Sequence, residues 1–156
     1  MHVPKGWLRK KIEEKNFRLS IDTLKEKQLG IDRSFSGYVR IFGTTSQNTH
    51  DDYYLLIENG KIIGAEKVEI EKNIRTLREE SLEKMECTYV ECEIQVVKLE
   101  RSEMEIAKEI NENCLLENKI EFKSELNRKE LLKKMNIDNI DVEHLLYKFE
   151  KRKEQL

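Results

Sequence analysis

The apolar positions of the chain change period several times, and each change predicts an element. Trp7, Leu8 and Ile12 are the apolar positions of a first segment, Trp7 to Lys15, which reads as a short helix. Ser20 can cap a second helix from Ile21 to Leu29, with Gly30 as its stop. Phe35 to Phe42 is rich in aromatic and β-branched residues and reads as a strand, followed by a polar loop from Thr44 to Asp52. Tyr53 to Glu58, Asn59-Gly60 and Lys61 to Glu66 read as a β-hairpin with a type I′ turn, which needs positive φ at both central residues. Thr76 to Glu79 has the form of a capping box, with Ile74, Leu77 and Met85 at helical spacing. Thr88 to Leu99 alternates, with Val90, Cys92, Ile94 and Val96 on one face and Glu91, Glu93 and Gln95 on the other. Ser102 to Glu105 is a second capping-box pattern, opening a helix that would bury Ala107, Ile110 and Cys114. Lys119 to Lys123 is a weak strand pattern; Ser124 and Asp141 can each cap a further amphipathic helix, the last carrying Val142, Leu145, Leu146 and Phe149.

The predicted fold class is therefore α+β, an antiparallel sheet with a central β-hairpin and flanking helices, plus a C-terminal pair of amphipathic helices. The predicted organisation is a basic N-terminal segment 1–19, a core domain 20–116 and a helical appendage 117–156. The Asn-Gly turn also predicts the hairpin register: Glu58 faces Lys61, Ile57 faces Ile62, Leu56 faces Ile63, Leu55 faces Gly64 and Tyr54 faces Ala65. One face then carries Tyr54, Leu56, Ile63 and Ala65, the other Tyr53, Leu55, Ile57 and Ile62. Both are apolar. One should pack on the domain's helices, and the other on a terminal segment or another molecule. Tyr53, Leu55, Ile57 and Ile62, with Leu145 and Phe149 of the last helix, are accordingly the candidate interaction residues.

Charge refines this picture. Charged residues make up 38% of the chain, with 29 bases balanced by 31 acids for a net charge of −2. A strongly basic nucleic-acid binder has a different profile. The distribution is uneven, because Lys5, Arg9, Lys10, Lys11, Lys15 and Arg18 stand against Glu13 and Glu14 near the start, whereas residues 66–117 are acidic. Arg9, Lys10 and Lys11, beside Trp7 and Phe17, are candidate phosphate contacts; a basic helix anchored in the core by Trp7 is the alternative. The 3 cysteines, an odd number, argue against a disulfide-stapled secreted domain and for a reducing, cytoplasmic setting. The first residues hold no apolar run, which predicts no signal peptide, and no apolar run reaches membrane-spanning length, which predicts no membrane association. A single proline with abundant Lys, Glu and Ile is the composition of a heat-adapted source.

Catalytic patterns do not emerge. Gly60-Lys61 lacks the upstream glycine and following hydroxyl of a phosphate-binding loop, and no nucleophile-elbow, dinucleotide or zinc-protease motif is present. His50-Asp51-Asp52 is where an imidazole and carboxylates cluster, on a segment that can equally be a solvated loop. The acids Glu79, Glu80, Glu83 and Glu86 can dock a basic partner or simply form a solvated helix face. No cofactor, metal or catalytic residue is predicted.

Phe35, Gly37, Gly60, Ile62, Ile63 and Ala65 together resemble the strand and hairpin motif of the PATAN-like domain of prokaryotic signalling proteins. The chain is also similar to an uncharacterised archaeal family with the same core, followed by a tail like Arg128 to Ile137. The resemblance spans roughly residues 20–137 and implies an adaptor or signalling role without catalytic residues. The expected function is a non-enzymatic protein-interaction or signalling module, its partner another protein or a second copy in a homodimer. A nucleic-acid binder using the N-terminal bases, and a small-molecule sensor using the loop 44–52 and the hairpin, are the alternatives.

Overall fold

The computed structural model describes residues 1–122. The C-terminal helices predicted after Ser124, with Leu145 and Phe149, lie outside the described residues. Within them the chain forms β1 (Trp7–Leu19), α1 (Ile21–Glu26), β2 (Gly37–Thr44), β3 (His50–Glu58), β4 (Lys61–Glu69), β5 (Ile74–Leu77), α2 (Arg78–Glu83), β6 (Cys87–Lys98), α3 (Arg101–Ile110) and β7 (Leu115–Glu121). The seven strands make one antiparallel sheet in the order β1-β6-β2-β3-β4-β5, with β7 also pairing β4. Of the described residues, 51% are strand and 20% helix, in three short α-helices and a single 3-10 turn. The expected α+β class is thus corrected: this is a mostly antiparallel β structure rather than a balanced arrangement of sheet and helices.

The main source of that difference is β1. Trp7 to Lys15 is a strand, not a helix, and pairs with β6 along its whole length. β6 needs two neighbours, and it has β2 on its other side. Pairing with a long strand overrides the local helical preference of a Lys- and Glu-rich segment. The basic N-terminal segment 1–19 thus contributes β1 to the sheet. β7 crosses the expected boundary at residue 117.

The hairpin forms about the predicted turn, with φ of 52° at Asn59 and 73° at Gly60. Its register departs from the prediction beyond the first two pairs. A β-bulge places Ile63 as an extra residue, so Leu56 faces Gly64, Leu55 faces Ala65 and Tyr54 faces Glu66. The bulge moves Ala65 to the face of Tyr53, Leu55, Ile57 and Ile62. It also turns Glu66 and Lys67 into the opposite layers from those that unbroken alternation would give them.

Both sheet faces are covered within the chain. On one, Leu24 of α1, the segment bearing Leu29, Ile31 and Phe35, and Met85 after α2 pack against the central strands. On the other, Met104 and Ala107 of α3 meet Tyr38, Leu56, Ile63 and Val97, with Met1 and Val3 of an N-terminal strap closing the layer. The strap is clipped by Asn111, whose Oδ1 accepts from the His2 amide at 2.8 Å and whose Nδ2 donates to the His2 carbonyl at 2.6 Å.

The helix caps show local chemistry yielding to pairing. Ser20 caps α1 as expected, in a box with Thr23, although the helix stops at Glu26 instead of Leu29. Thr76 is drawn into β5 opposite Lys67, so the expected box there does not form. The box that opens α3 is Glu100 with Glu103, two residues before the expected Ser102. Ile110 is 57% exposed, not buried.

Gly30 and Gly60 share a φ of +73°, and a Cβ on Gly60 would lie 2.6 Å from the Asp32 carbonyl oxygen, whereas nothing lies within 4 Å at Gly30. Gly30→Ala should cost about 1 kcal/mol of backbone strain, and Gly60→Ala roughly 3 kcal/mol because the collision adds to it. Urea denaturation of the two variants checks this. Equal losses would contradict the packing of the Asp32 carbonyl over the turn.

Candidate functional site

β1 lies at one end of the sheet order, so its inner edge is bonded to β6 and, among the described residues, no strand pairs with its outer edge. Two irregularities bracket its middle. The register with β6 shifts between Leu8 and Lys10, leaving Arg9 as a bulge, and Asn16 has a φ of 51°. Between them Lys10 to Lys15 runs as regular strand. Alternate residues of a strand point to opposite faces, so Lys10, Ile12 and Glu14 share one face and Lys11 and Glu13 the other.

The contacts agree with this. Lys10 Nζ donates to the Gln28 carbonyl at 2.5 Å and Glu14 pairs with Lys27 at 2.7 Å, both on the α1 side. Lys11 Nζ lies 2.8 Å from Glu93 and 3.8 Å from Glu13, and the bond to Glu93 holds its ammonium above the ordinary value. Ile12 is half-buried, while Trp7 and Leu8 at the start of the strand are exposed. Beside the strand Glu13, Glu14, Lys15, Phe42, Thr44, Glu91, Cys92 and Glu93 line an open, acidic groove of about 550 Å³.

Arg9, Lys10 and Lys11 therefore do not form one cationic face. Lys10 and Lys11 diverge, each already has an oxygen partner, and Glu13, Glu14 and Glu93 lie among them. Tyr53, Leu55, Ile57 and Ile62 are each 0% exposed, inside the layer beneath α1, and present no surface to a partner. Pattern alone revealed two apolar faces, but not that one chain would cover both.

Two buried polar clusters were not anticipated. In the first, the Tyr89 hydroxyl donates to Asp51 Oδ2 at 2.6 Å and lies 3.1 Å from the Tyr53 hydroxyl. Lys67 Nζ lies 3.9 Å from the same carboxylate and donates to the Lys84 carbonyl at 3.3 Å. Burial raises both phenols, and at Tyr89 the bond to Asp51 raises it further, so both stay protonated. In the second, Glu66, 1% exposed, meets Arg75 Nη2 at 2.8 Å, the Met1 ammonium at 2.6 Å and Cys114 Sγ at 3.4 Å. Burial pushes the Glu66 carboxyl up, but the bonds from Arg75 and Met1 outweigh it and hold the group below its ordinary value.

His50, Asp51 and Asp52 separate along β3. The His50 ring meets Glu71 and stacks on Phe42, Asp51 turns inward to Tyr89, and Asp52 takes a bidentate pair from Arg40 at 3.0 and 2.9 Å. Among the described residues no group of three or more His, Cys, Asp or Glu side chains converges on a metal position. Burial pushes the Cys92 thiol up to about 12, and burial with the Glu66 contact pushes Cys114 up to about 11, the opposite of an activated nucleophile.

Residues 1–111 match the family described as "Uncharacterized protein conserved in archaea (DUF2226)". The chain belongs to this family. The DUF2226 match runs from the N-terminal strap through β1, the hairpin and α3 to Asn111, and so includes the open edge and both clips of the strap. No curated protein and no solved structure matches the chain. Among the described residues no helix is long and apolar enough to cross a membrane.

The Glu66 cluster carries a pH prediction. A carboxyl depressed in the folded state stabilises fully above its unfolded value, here 4.5, and loses that contribution as pH falls through the lower folded value. Glu66→Gln should cost about 3 kcal/mol at neutral pH and should flatten the acid slope of Tm below about pH 4.5. An unchanged acid slope in Glu66→Gln would place the acid sensitivity elsewhere.

Proposed function

We propose that this chain is a non-enzymatic protein-interaction module that docks its partner by strand addition along the outer edge of β1. The observation that carries this reading is a 13-residue strand at the end of a seven-stranded sheet, with its outer hydrogen-bonding groups unmatched among the described residues. Sheet edges of this kind bind extended segments through main-chain bonds, and alternate side chains supply selectivity. The protonated phenols and thiols and the internally paired carboxylates favour binding over group transfer. The divergence of Lys10 and Lys11 among glutamates disfavours a nucleic-acid role.

A signalling adaptor related to PATAN-like domains is the finer form of the proposal, supported by the Phe35, Gly37 and Gly60 motif around the hairpin. Three free cysteines, two of them buried, support action in the reducing cytoplasm.

Amide hydrogen exchange on a sample dilute enough to be monomeric tests the reading. Alternate amides between Lys10 and Lys15 should exchange fast, while those of β6 from Glu91 to Lys98, where strands pair on both sides, stay protected. Protection of every β1 amide in a monomer would mean that the chain closes its own edge, and would refute the proposal.

A further inference from the structure

We infer that the partner at this edge is a second copy of the chain, with β1 pairing antiparallel to β1 about a two-fold axis at Ile12. The inference rests on the strand-addition reading above and adds the identity of the added strand. The order of charge along β1 is self-complementary. The regular stretch reads Lys10-Lys11-Ile12-Glu13-Glu14. An antiparallel copy centred on Ile12 sets Lys10 opposite Glu14 and Lys11 opposite Glu13, and the symmetry repeats both pairs. All four pairs are attractive, and residues that pair share a face. Half-buried Ile12 meets its own copy at the centre, where the second strand completes its burial.

The neighbouring contacts fit this arrangement. Lys10 and Glu14 lie on the same α1 side, where they meet the adjacent residues Gln28 and Lys27. Lys11 and Glu13 lie together on the other face, beside Glu93. The ladder has defined ends at the Arg9 bulge and the left-handed Asn16. Those ends keep Arg9 from regular pairing with Lys15 of the second copy, the like-charged pair next in line. Edge strands are also protected from aggregation by bulges and lysines. A protective edge, however, repels its own copy, whereas the order of two bases, isoleucine and two acids attracts it. A two-fold contact of this kind closes after two copies and does not propagate.

Sedimentation equilibrium of the full chain tests the inference. Wild type should dimerise, with weaker association at high salt because the pairs are exposed. Lys10→Glu/Lys11→Glu and Glu13→Lys/Glu14→Lys should each weaken self-association by roughly 100-fold or more, because four attractive pairs become repulsive. Mixed in equal amounts, the two variants should form a heterodimer. The fourfold exchange of all these charges should restore the homodimer, and circular dichroism confirms that each variant folds. A monomeric wild type, or a double variant that dimerises alone, would overturn the inference. A monomer with fast-exchanging β1 amides would remove the second copy but leave strand addition standing. A monomer with protected β1 amides would remove both.

Discussion

A sheet that is apolar on both faces has to be covered twice, and in this chain the cover comes from short pieces. The β3–β4 hairpin is the centre of that demand, because Leu55 and Ile57 face one layer while Leu56 and Ile63 face the other. α1, the stretch to Phe35 and the residues after α2 meet the first layer. α3 and the N-terminal strap meet the second. Neither cover is long enough to be stable by itself. Each is held by a few polar contacts placed where the cover meets the sheet: the Ser20 cap at α1, the Asn111 clip and Glu66 at the strap.

Both buried polar clusters depend on the bulge at Ile63. By adding one residue to β4 it turns Glu66 toward the strap and Lys67 toward Tyr53 and Asp51. With the alternation unbroken, each charge would enter the layer that lacks its partners. Among the described residues no buried side-chain nitrogen or oxygen lacks a hydrogen-bond partner. A buried group without a partner costs more than the bond it would have made. These groups are therefore spent on holding the covers down, and among the described residues the outer main-chain edge of β1 is left without a strand partner.

Elements defined by local chemistry were legible in the sequence. The Asn59-Gly60 turn, the Ser20 cap and the long alternating strand that became β6 all depend on residues near one another. The errors came where a distant strand decided the outcome. β1 looked helical until β6 required a neighbour, and Thr76 matched a helix cap until Lys67 drew it into β5. The bulge has no sequence mark of its own, so the hairpin register slipped by one residue and Ala65 changed faces. β6 also departs from strict alternation, with Tyr89 buried and Val90 exposed. The edge was partly legible as well. Arg9, Lys10 and Lys11 stand out in the sequence as bases, but on a strand their meaning lies in their order relative to Glu13 and Glu14. That order could be interpreted only once the segment was known to be extended.

Pairing of β1 with β1 fixes a geometry between two copies, and a distance measures it. A nitroxide attached at Lys15→Cys, in a chain carrying Cys87→Ser, sits three residues from the inferred axis on an exposed position. Pulsed electron paramagnetic resonance should then give an inter-copy separation of about 20 Å along the strand direction, since each residue of an antiparallel strand rises about 3.4 Å. An absent dipolar signal, or a distance far from that value, would contradict pairing of β1 with β1 about Ile12.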